Sequence, residues 1–159
     1  MEDPHTERRI ALVLEYDGTA YKGFQWQANG PSIQGEVERA IRSLTGESLR
    51  IRGASRTDVG AHAKGQVVDF LTRARFTTKT FLKALNWHLP PDIRVTSVRD
   101  TCPEFNSRKD AVSREYRYTI FNAQWPPAIL RAFSHWVPVP LDVAEMRAAA
   151  EYLPGVHDF

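Results

Sequence analysis

Apolar and polar positions along the chain fall into short alternating runs and two longer helical stripes. Residues 9–16 place Ile10, Leu12 and Leu14 on one face of a strand, and the run is apolar enough for a central place in a sheet. Asp17-Gly18-Thr19 stops it. A Gly- and Gln-rich loop leads to Pro31. Residues 32–45 then carry Ile33, Val37, Ala40, Ile41 and Leu44 at helical spacing. Ser32 suits the N-cap of that helix and Gly46 its end. Residues 49–54 and 65–72 read as a pair of strands around the loop Ser55–His62. Residues 77–88 predict a second helix with Phe81, Leu82 and Leu85 inward, stopped by Pro90-Pro91, and residues 93–99 a further strand.

The order strand, helix, strand, strand, helix, strand predicts an α+β fold. It is the ferredoxin-like βαββαβ unit, RRM-like, with an antiparallel sheet and its helices on one face. RNA-binding domains use this sheet, and so do many unrelated functions. Residues 114–121 alternate Tyr116, Tyr118 and Ile120 against Arg117, Thr119 and Phe121, which predicts another strand. Residues 132–137 predict one more. A helix follows from near Asp142, with Val143, Met146, Ala150 and Leu153 on its stripe. This organisation puts an N-terminal domain at residues 1–105 and the start of a second α+β domain at 106–159. The stop at Val156-His-Asp-Phe159 is that expected of a truncated chain, with an apolar element still to pack.

Composition narrows the class of function. A chain of 159 residues, 42% hydrophobic, can bury a real core. No run approaches the roughly 18 apolar residues of a membrane span. The mixed-charge start is unlike a signal or transit peptide. Cys102 is the only cysteine, which excludes an intrachain disulfide and a cysteine zinc cage and makes the cytoplasm the expected compartment. The net charge of +2 hides an asymmetry. Between Arg50 and Arg117 there are 14 Lys/Arg against 7 Asp/Glu. That middle segment is either a footprint for a polyanion or a solvated basic surface.

The loop Gly53-Ala-Ser-Arg-Thr-Asp-Val-Gly-Ala-His-Ala63 carries the most chemistry. Its small residues let a polyanionic backbone approach closely. Arg56 and Asp58 set a cation two residues from a carboxylate. A guanidinium beside a carboxylate lowers its pKa and keeps a nucleophile charged in a dry pocket. Arg56 is also suited to a phosphate, or to the space left by a flipped base. Asp-x-Gly is equally ordinary turn chemistry. His62 either touches an RNA backbone or makes structural hydrogen bonds. In Ser113-Arg-Glu-Tyr-Arg-Tyr-Thr-Ile120 a tyrosine can stack on an unpaired base, act through its hydroxyl, or pack in a core. The loop Tyr21-Lys-Gly-Phe-Gln-Trp-Gln27 presents aromatics and amides, for RNA, for a partner subunit, or for the domain's own core.

Ser55-Arg-Thr-Asp-Val-Gly-Ala-His-Ala63 resembles the signature of the TruA family of tRNA pseudouridine synthases, usually Gly-Arg-Thr-Asp-x-Gly-Val-His-Ala. The resemblance extends to Tyr16-Asp-Gly-Thr-x-Tyr-x-Gly-Phe-Gln25, Ser32-Ile-Gln34, Asn86, Arg114-x-Tyr-Arg-Tyr118 and His157-Asp-Phe159. Ser55 and Ala61 depart from the usual glycine and valine. Phe105-Asn-Ser-Arg108 stands where the family often has Phe-His-Ala-Arg. Family members run on for roughly another hundred residues, the size of a second domain.

The resemblance implies an isomerase that converts uridine to pseudouridine at positions 38, 39 and 40 of the tRNA anticodon arm, with no cofactor and no metal. It implies Asp58 as nucleophile, Tyr116 stacked on the flipped uracil, Arg56 assisting the flip, and Arg108 on phosphate. It implies a homodimer cradling one tRNA, and a basic residue for the aspartate beyond Phe159. Two readings compete with it. One is a non-catalytic RNA-binding module of the same sheet type, in which Asp58 is only a turn residue. The other is a glycosidase, which needs a second positioned carboxylate that the motif does not supply.

Overall fold

The computed structural model describes residues 7–158. They form two compact units that divide between Arg114 and Glu115. The first is built on a four-stranded sheet of β1 (Arg8–Tyr16), β2 (Arg52–Gly53), β3 (Ala63–Thr72) and β4 (Ile93–Thr101). The spatial order is β2-β3-β1-β4, and every neighbouring pair is antiparallel. Helix α1 (Ile33–Thr45) follows β1, and α2 (Thr78–His88) follows β3.

The period-2 pattern of β1 explains its central place. Ile10, Leu12 and Leu14 are fully buried, and Tyr16 nearly so. They share one core with Ile33, Val37 and Ile41 of α1, Phe81 and Leu85 of α2, and Val68 and Phe70 of β3. Phe81 meets Phe70 and Phe76 edge-on, with ring centroids 6.2 and 6.0 Å apart. The caps are those the sequence signals. Ser32 accepts a hydrogen bond from the Gly35 N–H, and Gly46 closes α1 with its N–H on the Arg42 carbonyl. Ser32→Ala is expected to cost about 1 kcal/mol, read as a lower urea midpoint at unchanged slope.

Two irregularities shape β1. Its register with β4 shifts between Val13 and Leu14, and its register with β3 shifts between Leu14 and Tyr16. The second bulge leaves Tyr16 opposite Ala63, directly beside the loop that precedes β3. Bulges of this kind bend a strand end and re-aim its side chains.

The second unit holds β5 (Ile120–Asn122) paired parallel with β6 (His135–Val137), a 3-10 turn at Leu130–Ala132, and α3 (Val143–Ala150). Asp142 caps α3 by accepting from the Ala144 and Glu145 N–H groups. One expectation is corrected. The strand expected at 114–121 is regular only from Ile120 to Asn122. Alternation gives a strand two faces but no partner, and β6 pairs with just those three residues. The apolar stripe of α3 is exposed at Val143, Met146 and Leu153, as a stripe with an element still to pack would be. No described element of this unit closes over it; an open apolar cleft lined by Ile120, Leu141, Val143 and Met146 lies there instead. In the loop after β1, Tyr21 and Phe24 are buried in the first unit's core, and Trp26 alone of its aromatics is exposed. Tyr21 is drawn inward by its hydroxyl, which donates to Asp92 Oδ1 at 2.6 Å. Burial and that carboxylate push its pKa well above the ordinary tyrosine value.

Candidate functional site

The loop from Ala54 to His62 joins β2 to β3. At its root the Ala54 N–H donates to the Val67 carbonyl at 2.9 Å, and the Gln66 amide donates to the Ser55 carbonyl. At its tip Asp58 begins a turn in which the Ala61 N–H reaches the Asp58 carbonyl at 3.1 Å. Gly60 supplies the positive φ, 77°, that this turn requires. The loop is therefore a turn, as Asp-x-Gly suggests.

The carboxylate of Asp58, however, does not make that turn. It is exposed, and it takes part in no hydrogen bond or ion pair with any described residue. Asp17 shows what a turn aspartate does in this fold. Its Oδ1 accepts from the Thr19 N–H at 2.9 Å and from the Thr19 hydroxyl at 2.5 Å. Those bonds, the hydroxyl's first, hold its pKa below the usual value against a small cost of burial, with His62 adding to them. Asp17 is engaged by Thr19 and His62; Asp58 is held out with both oxygens available.

Arg56 is exposed and makes no ion pair with Asp58. Two residues apart on a loop, the two side chains need not pair, and here they do not. His62 is half-buried, with Nδ1 3.2 Å from the Gly18 nitrogen and 3.0 Å from Asp17 Oδ1. A neutral Nδ1 accepts from Gly18; a protonated one donates to Asp17. His62 thereby ties the turn after β1 to the end of the Asp58 loop. Arg108 is exposed on a turn made by Asn106, whose Oδ1 accepts from the Arg108 and Lys109 N–H groups at 3.1 Å each. Tyr116 belongs to the second unit, 75% exposed and outside regular structure. Tyr116 is not a packed sheet tyrosine.

Sequence reasoning missed two supports of this site. Arg114 donates to the Ala54 carbonyl at 2.9 Å and to the Arg108 carbonyl at 3.1 Å, bridging the root of the Asp58 loop and the Arg108 turn. Asp69 is buried in β3 and accepts from Arg9 and Arg52, both at 2.6 Å, and from the Ser107 N–H at 2.9 Å. Ser107 returns its hydroxyl to the Arg52 carbonyl at 3.0 Å. An aspartate inside the apolar run Val-Val-Asp-Phe-Leu is the signal that marks such a centre. Part of the basic segment is thus spent on structure. Arg56, Lys64, Arg99 and Arg108 keep exposed positions. Among the described residues no group of acidic, histidine or cysteine side chains is placed to hold a metal ion, and no helix is long and apolar enough to cross a membrane.

Comparison with known proteins sets this geometry in context. The pattern of the family described as tRNA pseudouridine synthase matches residues 12–108. The chain is 47% identical over 152 residues to tRNA pseudouridine synthase A of Roseiflexus castenholzii, covering 96% of this chain and 56% of that protein. It is 44% identical over 152 residues to the protein of the same name from Acetivibrio thermocellus, covering 96% and 62%. A similar protein of Moorella thermoacetica is 45% identical, over 94% of this chain and 62% of its own length. The chain spans less than two thirds of the length of these relatives.

Proposed function

From the fact that the chain belongs to the tRNA pseudouridine synthase family, we propose that its protein isomerises uridine to pseudouridine in the anticodon arm of tRNA, at positions 38, 39 and 40, with Asp58 as nucleophile. The reaction breaks the bond between N1 of uracil and C1′ of ribose, turns the base, and joins C5 to C1′. The C5 proton leaves and N1 gains one, so atoms balance without any group carried in. Attack by the carboxylate on the base or on the sugar carbon both require an ionised oxygen free of other duties.

One observation carries the assignment: Asp58 sits at a loop tip with its carboxylate uncommitted, in a fold that commits the turn aspartates Asp17, Asp92 and Asp110 to hydrogen bonds. Around it, Arg56 is assigned to the space a flipped nucleotide vacates, His62 to the loop's posture and the passing RNA backbone, and Arg108 to phosphate. Tyr116 is assigned to stacking on the extruded uracil, which its exposure permits. RNA binding through the exposed basic residues follows, weakening with salt as phosphate contacts do.

The order β2-β3-β1-β4, with a helix after β1 and after β3, supports reading the first unit as ferredoxin-like and RRM-like. We take a second, catalytic domain to begin beyond residue 105, and the working form to be a cytoplasmic homodimer cradling one tRNA. The test is direct. The complete gene product is incubated with unmodified tRNA, and pseudouridine is mapped by mass spectrometry. Product at the anticodon-arm positions is expected. No product on any tRNA overturns the catalytic assignment and leaves an RNA-binding module.

A further inference from the structure

The loop that carries Asp58 is gripped from behind at two points. On the near side, Thr57 is held twice: its carbonyl accepts from the Phe24 N–H at 3.0 Å, and its Oγ1 meets the Tyr16 hydroxyl at 2.8 Å. On the far side, Gly18 lies so close under Ala61 that an added Cβ would collide with the Ala61 carbonyl oxygen, and its N–H reaches His62. Between these grips Asp58 has no side-chain partner of its own. The direction of its carboxylate is therefore set by the backbone at Thr57, one residue before it.

Tyr16 is a firm post for that purpose. It is only 3% exposed, packed into the core at the bulged end of the central strand. Its ring is fixed by packing, so its hydroxyl arrives at the loop with little freedom left to lose.

Resting on the proposed function, we propose that Tyr16 is a positioning residue for the reaction: its hydroxyl, through Thr57 Oγ1, holds Asp58 at the height from which it attacks. A misplacement of about 1 Å at a reacting group costs up to about a hundredfold in rate. Tyr16 touches no reacting atom, so its removal lowers turnover and leaves tRNA affinity alone. The Phe24 N–H still holds the Thr57 backbone in every variant, so the loop loses its fine setting and not its course.

The test uses the complete gene product with unmodified tRNA. Tyr16→Phe, Thr57→Val, Thr57→Ser and the double variant Tyr16→Phe/Thr57→Val are compared with wild type for kcat, KM and thermal unfolding. Tyr16→Phe and Thr57→Val are expected to lower kcat about tenfold or more, with KM within about twofold. Thr57→Ser keeps the hydroxyl and is expected to stay within about threefold of wild type. The double variant is expected to lose no more than the worse single, because both remove one bond. Turnover is normalised to the folded fraction, so a loss of stability alone cannot imitate the effect. Wild-type kcat in folded Tyr16→Phe, multiplicative losses in the double variant, or a Thr57→Ser as impaired as Thr57→Val would each overturn the proposal while the catalytic assignment stands. A wild-type protein inactive on every tRNA removes that assignment and this inference together.

Discussion

Asp58→Asn in the complete gene product is expected to give a folded protein that binds tRNA and makes no measurable pseudouridine, a loss of at least ~10⁴-fold. The two halves of this result have separate causes. The carboxylate supports nothing in the fold: it is exposed and without an intramolecular partner, so an isosteric amide costs the structure almost nothing. The turn survives because it is made by the Asp58 carbonyl and Gly60, which the substitution leaves in place. Chemistry suffers because an amide oxygen cannot replace an ionised carboxylate as a nucleophile. Thermal unfolding, filter binding of tRNA and mapping of modified uridines read the three parts. Residual activity near that of wild type would remove Asp58 from the reaction, and a large drop in stability would mean that the carboxylate is structural after all.

Asp69→Asn is expected to do the opposite: about 3 kcal/mol of stability is lost, and turnover falls only as far as the folded fraction does. The Asp69 side chain is fully buried, with one oxygen pair serving Arg9, Arg52 and the Ser107 backbone. Removing its charge leaves two guanidinium groups against a neutral amide whose own N–H groups meet other donors. Arg52 keeps partial access to water, which places the cost at the lower end of the range for a broken buried pair.

The pH dependence follows from the same group. Burial alone would raise the Asp69 pKa, but hydrogen bonds from Arg52, Ser107 and Arg9 outweigh it and hold the value below 3.8. A carboxyl group depressed on folding contributes stability that is complete above its unfolded value and fades as pH falls through its folded one. The gap between wild type and Asp69→Asn in urea unfolding is therefore full at neutral pH. It begins to close as pH passes below 3.8 and narrows further through the depressed folded value. A gap that stays constant into acid would show that charge has no part in it.

Local pattern placed the sheet unit well. The elements at 9–16, 32–45, 77–88 and 93–99 all lie within a few residues of the strands and helices found. Each is a run whose apolar period, caps or prolines act over short distances, so the chain itself carries the information. The second unit was less legible because its elements depend on partners. Residues 114–119 alternate like a strand, yet a strand is a ladder, and β6 supplies three rungs. The stripe of α3 has the helical period but no described neighbour to bury it.

At the candidate site the division is sharper. Sequence alone identified the loop, its turn-forming glycine and its carboxylate, because those depend on residue type and spacing within a few positions. Which aspartate is spent and which is free was decided by tertiary structure. Asp17, Asp58 and Asp69 are the same residue to any pattern, but one is bonded to its own turn, one stands open at a loop tip, and one is locked among arginines of neighbouring strands. The physical reason is that a carboxylate's role is fixed by the donors within about 3 Å of it. The donors of Asp69, and His62 at Asp17, come from parts of the chain far apart in sequence, which only folding brings together.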